Sequence, residues 1–221
     1  MPPDEVTESP SMTQNFPSLT APRDGFVFVV TYGRSGSTLL QNLLNALPGY
    51  CIRGENANAT AHLARAVQVL SATPQVQDYR QKSITTGAHH PWYGAELIDV
   101  DHYARALCDL FVRDILHLPQ GTRVGGFKEI RYVQDSHFTP THLRFLLTYF
   151  PKAKIIFNTR DHGAVARSGW WADQDPAEVS QGRQQVQIGL QHPQRRADLI
   201  GFGVQGVGVG EDADQARGRI G

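Results

Sequence analysis

The chain has 221 residues, 40% of them hydrophobic and 19% charged, enough to bury one full core in a single domain. Its 21 Lys and Arg balance its 21 Asp and Glu, so the broad basic surface of a nucleic-acid binder is missing and any anion must be met locally. Cys51 and Cys108 are too few for a disulfide framework and read as reduced, buried thiols. No apolar run approaches the roughly 20 residues of a membrane span, and the start of the chain has no apolar core for a signal peptide, which together predict a cytoplasmic protein.

Residues 1–24 are rich in Pro, Ser and Thr and poor in apolar side chains, the composition of a disordered lead-in. The folded part is expected over 25–200. Phe26 to Thr31 is an uncharged run of β-branched and aromatic residues, the pattern of a strand buried on both faces of a parallel sheet. A turn follows, Tyr32-Gly33-Arg34-Ser35-Gly36-Ser37-Thr38. Leu39, Leu40, Leu43, Leu44 and Leu47 then recur at the spacing of one helix face before Pro48-Gly49 stops it. A strand, a glycine-rich turn and a helix point several backbone N–H groups and the positive end of a helix dipole at one small volume. Arg34 and three hydroxyls add donors there, so the turn is a candidate anion site, most naturally for a phosphate.

Farther on, Ala57 to Leu70 carries small and apolar residues at helical spacing. Thr73 to Tyr93 lacks periodicity and reads as a mobile loop; its His89-His90 pair has no Cys or acidic cluster to complete a metal site, and no metal is expected. Asp101 to Leu118 predicts a further helix with a stripe of Leu107, Leu110, Phe111, Ile115 and Leu118. Val124 to Tyr132 predicts a strand whose charges, Lys128, Glu129 and Arg131, gather at its C-terminal end, where open α/β sheets bind ligands. Lys154 to Thr159 is another buried-strand pattern ending in Arg160-Asp161, and His162 to Trp171 reads as a helix that carries Ser168. From Gly201 the chain has seven glycines in 21 residues and no sustained period, giving a glycine-rich tail over 201–221. The predicted fold class is α/β, a parallel sheet with helices on both faces.

The turn is not GxxxxGK[ST], because only two residues separate Gly33 from Gly36 and the cation precedes the second glycine. Its sequence, GRSGSTLL after a strand, resembles the 5′-phosphosulfate loop of sulfotransferases that use 3′-phosphoadenosine 5′-phosphosulfate (PAPS), and most of all the bacterial carbohydrate-type branch, in which arginine replaces lysine. The second half of the resemblance is FPKAKIIFNTRDHGAVARSGWW, where Arg160 and Ser168 stand eight apart. The resemblance spans about residues 25–190.

It implies the P-loop-like sulfotransferase fold and a PAPS cosubstrate, with Arg34, Ser35, Gly36, Ser37 and Thr38 at the 5′-phosphosulfate and Arg160 and Ser168 at the 3′-phosphate. It implies a catalytic base at Glu55, in CIRGEN just past the first helix, and a sulfonate contact at Lys128, with Arg131 nearby. The acceptor is expected to be a carbohydrate or another small molecule with a hydroxyl or amine.

From the residues themselves Glu55 is equally an exposed loop carboxylate or a partner for Arg53, Lys128 one half of an ion pair, and Arg160 a partner for Asp161. A nucleotide kinase is the second reading, disfavoured for want of a P-loop lysine and of a magnesium-binding aspartate after a strand. A catalytically impaired remnant is the third, because the tail matches nothing in the family and reads as a truncated, frame-shifted or naturally variant end.

Overall fold

Alternation along Phe26-Val27-Phe28-Val29-Val30 sets the layers of the molecule, because successive side chains of a strand point to opposite faces. In the computed structural model, which describes residues 15–160 and 199–203, this segment is β1 (Gly25–Val30), buried at all six positions. Four more strands lie parallel to it: β2 (Tyr50–Arg53), β3 (Val124–Glu129), β4 (Lys154–Thr159) and β5 (Leu199–Gly203), in the order β2-β3-β1-β4-β5. The α/β architecture expected from the sequence is present, and β1 is its centre.

Phe26, Phe28 and Val30 face the larger core, joined by Phe127 and Ile155 from the neighbouring strands. The ring of Phe28 lies 4.9 Å from that of Phe127 and 5.1 Å from that of Phe150, and Phe111 closes on Phe127 at 5.7 Å. Each fully buried ring contributes about 2–3 kcal/mol of transfer free energy, and tilted or edge-on pairing adds about 1 kcal/mol. Over this face pack the helices α3 (Ala59–Ala72), α5 (Val100–Phe111) and α6 (Thr139–Tyr149). Val27 faces the other way, with Ile52 and Val124, under α2 (Ser37–Asn45), which supplies Leu44. Helices therefore cover both faces of the sheet.

Several local expectations give way to tertiary context. Phe16 and Leu19, expected within the disordered lead-in, are buried in the larger core; a one-turn helix, α1 (Pro17–Thr20), is held by a 2.8 Å bond from the Leu19 N–H to Asp109 of α5. Two apolar anchors in a polar segment are too few to register in its composition. Residues 73–93, read as a loop, open with a helix, α4 (Pro74–Gln81): Pro74 fits its first turn, where no N–H is needed, and Val76 is the one buried anchor. The buried face of α5 is Ala104, Cys108 and Phe111, and Leu110 and Ile115 of the expected stripe are exposed. A π-turn over Val112–Leu116 adds a residue to the repeat there and turns Val112 and Leu116 inward instead. On α2, Leu40 and Leu44 are half-buried while Leu39, Leu43 and Leu47 are exposed, so the five leucines do not share one face.

Three elements had no sequence signal: β2, four residues with a single buried side chain; α6; and β5, whose backbone pairs with β4 from Ile155↔Leu199 to Thr159↔Gly203 although its residues run into the glycine-rich stretch. The helix expected over 162–171 and the remainder of the tail lie outside the described residues. Among the described residues no helix is long and apolar enough to cross a membrane, no group of His, Cys, Asp and Glu could hold a metal ion, and Cys51 and Cys108 are free thiols.

Candidate active site

β1 runs straight into the candidate anion-binding turn. Arg34 sits in the left-handed region at φ 66°, and Gly36, at φ 84°, is the N-cap of α2, its carbonyl accepting from the N–H groups of Leu39 at 3.0 Å and Leu40 at 3.3 Å. The N–H groups of Ser37 and Thr38, in the first turn of α2, have by helix geometry no acceptor within the helix. A Cβ at Gly36 would meet nothing within 4 Å, so the turn opens onto free space on that side.

Ser35 supports the turn from below. Its hydroxyl lies 2.6 Å from the Thr31 hydroxyl, which donates to the Asn158 carbonyl at 2.7 Å; with that proton committed, Ser35 is the donor to Thr31. The Asn158 side-chain amide donates in turn to the Ser35 hydroxyl at 3.0 Å and to the Ser35 carbonyl at 3.1 Å. All three residues are buried, so this network ties the turn to β4 where a missing partner would be expensive. What Ser35 can offer an anion is its backbone.

A second tie runs through Tyr32, whose phenol donates to the Arg160 carbonyl at 2.8 Å and accepts from the Arg160 N–H at 2.9 Å. This lays Arg160 alongside the turn, its guanidinium 3.5 Å from the Arg34 carbonyl. Arg34, Ser35, Gly36, Ser37, Thr38 and Arg160, taken from segments about 125 residues apart, thus meet at one end of the sheet. Asp161 and Ser168 lie outside the described residues.

Glu55 and Lys128 meet at the same edge, on the β2 and β3 side. Lys128 Nζ donates to Glu55 Oε1 at 2.6 Å, and Arg131 Nη1 donates to Glu55 Oε2 at 3.1 Å. Arg53 is not the partner of Glu55; it donates to the carbonyls of Leu116 and His117 at 2.8 and 2.6 Å. Lys128 is paired with Val29 and Glu129 with Val30, so consecutive charges leave β3 on opposite faces. Glu129, fully buried, faces the larger core. There its Oε2 accepts from the N–H groups of Asn56 at 3.1 Å and Asn58 at 2.8 Å, while its Oε1 accepts from the N–H groups of Ile130 and Arg131 and from the Arg131 guanidinium at 2.9 Å. Burial pushes this carboxyl up; the backbone bonds from Asn58, Ile130 and Asn56 and the charge of Arg131 outweigh it and hold Glu129 below the usual carboxylate range. Beyond it, on α6, burial drives His142 down to about 4, its Nε2 resting 2.8 Å from the Thr60 hydroxyl.

Sequence reasoning assigned no part in the site to Glu129, Asn158, Thr31 or Tyr32 individually. Their one signal is a polar side chain at the end of an otherwise apolar strand, and nothing local says which partner it meets.

The geometry is a turn of N–H donors flanked by two arginines, with a carboxylate held between a lysine and an arginine two strands away. No curated protein matches the chain. A model of the Sulfotransferase family matches residues 27–199, from the third residue of β1 to the first residue of β5, and so takes in every residue of this arrangement; the chain belongs to the sulfotransferase family.

Proposed function

We propose that this chain transfers a sulfuryl group from PAPS to a hydroxyl or amine of a carbohydrate or other small acceptor. The observation that carries the reading is Arg160, held by Tyr32 against the Arg34 turn. A mononucleotide turn needs one cluster of donors, and a second cation fixed beside it suits a nucleotide with a second phosphate. The donor set fits PAPS: first-turn N–H groups that the helix itself leaves without an acceptor and Arg34 for the 5′ end, open space at Gly36, and Arg160 toward the 3′-phosphate. Bound there, PAPS would supply an activated sulfuryl group on a leaving phosphate.

Transfer of such a group goes in line through a loosely bonded, charge-rich transition state, by analogy with phosphoryl transfer, so the protein acts by position and charge. Arg34 and the N–H groups of Ser35 to Thr38 are preset donors at the leaving side, where fixed dipoles in a water-poor site act most strongly. Glu55 is the base: each of its oxygens accepts one bond from a cation and keeps a lone pair for the acceptor's proton. Lys128, its side chain only 8% exposed, orients that carboxylate and stands ready for the sulfonate. The free thiols Cys51 and Cys108 are in keeping with a reducing, cytoplasmic setting.

Calorimetry with 3′-phosphoadenosine 5′-phosphate, adenosine 5′-phosphate and ATP tests the proposal. The bisphosphate binds best, and Arg160→Ala weakens it by about 2 kcal/mol while the monophosphate loses little. A preference for ATP, or equal losses for both adenosine nucleotides, overturns it.

A further inference from the structure

We propose that Glu129 is the positioning residue for the base, an inference that rests on the reading of Glu55 as the group that takes the acceptor's proton. Glu55 sits in an irregular segment between β2 and α3, and that segment holds a backbone it would not choose alone. Ala57 and Asn58 are consecutive left-handed residues, at φ 57° and 58°, a conformation that is unfavourable for an L-residue such as alanine because its Cβ crowds the backbone carbonyl. Such a bend persists only where its surroundings fix it, and here a buried carboxylate spans it, with Asn56 closing it toward Ala59. Glu129 Oε2 takes the N–H groups on either side of Ala57, and the Asn56 side chain then receives the N–H of Ala59 to start α3.

The other oxygen of Glu129 sets the second support of Glu55. It accepts from the guanidinium of Arg131 and from the Arg131 N–H, and the same Nη1 reaches Glu55 Oε2. Glu129 thus fixes both the segment that carries the base and the cation that orients it. It does so fully buried, from the face of β3 opposite to Lys128. Lys128 holds the near oxygen of Glu55 from the strand that Glu129 ends.

Glutamine cannot do this work, because its amide nitrogen would confront N–H groups where an anion now accepts them. The test is a cycle in the full chain of Glu129→Gln, Glu55→Gln and the double variant. Release of 3′-phosphoadenosine 5′-phosphate from PAPS is followed over a panel of hydroxyl and amine acceptors, with the affinity for that nucleotide measured alongside. Glu129→Gln lowers kcat by about tenfold or more, the scale of a catalytic group displaced by a fraction of an ångström, with KM and nucleotide affinity within about threefold of wild type. The double variant is no slower than Glu55→Gln alone, within about twofold, since Glu129 acts through Glu55. If Glu129→Gln does not fold, Glu129→Asp, which keeps the charge but falls one methylene short of the Asn56 and Asn58 amides, carries the same cycle.

Losses that multiply in the double variant, or a nucleotide affinity that falls in step with kcat, overturn the proposal. A slow Glu55→Gln beside a Glu129→Gln of wild-type rate overturns it alone and leaves the base where it is. A Glu55→Gln of wild-type rate removes the base reading, and the proposal with it.

Discussion

Replacing Asn158 by alanine tests whether the candidate anion-binding turn depends on β4. Asn158 donates to the hydroxyl and the carbonyl of Ser35 at 3.0 and 3.1 Å, in a site where Thr31, Ser35 and Asn158 are each at most 5% exposed. In the alanine variant the Ser35 hydroxyl can still donate to Thr31, but the Ser35 carbonyl is left buried without a donor. Such a group costs about 1–3 kcal/mol, so unfolding by urea should show a loss of about 2 kcal/mol. Because the stranded carbonyl belongs to the turn itself, the turn loosens as well, and affinity for 3′-phosphoadenosine 5′-phosphate should fall about tenfold, or 1.4 kcal/mol, by calorimetry. Asn158→Asp is the sharper arm. It sets a carboxylate against two oxygens of Ser35 and, as an uncompensated buried charge, should cost about 4 kcal/mol at neutral pH, more than alanine does. An alanine variant within 0.5 kcal/mol of wild type, or an aspartate variant milder than alanine, would refute the bonding scheme and the dependence drawn from it.

Three further outcomes follow from the same structure. Arg34→Gly relieves a left-handed residue and should leave unfolding within about 1 kcal/mol of wild type, while PAPS turnover falls roughly a hundred- to a thousandfold for loss of a preset donor; unchanged turnover would sink the role given to the turn. A Cβ at Gly126 would stand 1.8 Å from the Val27 carbonyl oxygen and 2.8 Å from its carbon, both backbone of the central strand, so Gly126→Ala should cost more than about 4 kcal/mol or abolish folding, whereas Gly87→Ala, which meets nothing within 4 Å, should be neutral by circular-dichroism melting. His142 takes a proton near 6.5 when unfolded and resists it to about 4 when buried, so the unfolded state binds more protons between these values and stability is lost as pH falls from 6.5 to 4, by about 3 kcal/mol in all; His142→Gln should remove that slope from the urea-unfolding profile, and an unchanged profile would refute it.

The sequence by itself determined what periodicity and turn chemistry can carry. Phe26 to Thr31 and Lys154 to Thr159 are strands because uninterrupted apolar runs suit a sheet covered on both faces, and the Gly33 to Thr38 turn is marked as a candidate anion site by its residue types alone. The candidate binders Arg34 and Arg160, and Glu55 with Lys128, were legible as types at given places in the chain.

Which of them meet was decided by strand order, which no local pattern encodes. β4 lies beside β1, so Arg160 comes to the turn; β3 lies between β1 and β2, so Lys128 reaches Glu55, and Arg53, two residues before Glu55, turns away to the carbonyls of Leu116 and His117. Tertiary packing also overrode local signals: it buried Phe16 and Leu19 in a polar lead-in, and it placed Gly125 and Gly126, poor strand formers, in β3, where β1 comes too close for a side chain at Gly126. Glu129 illustrates the division. It follows Lys128 directly in the chain, and the alternation of the strand makes one a neighbour of Glu55 and the other a buried anchor behind it, because a pleated strand sends consecutive side chains to opposite faces and only the fold says what waits on each.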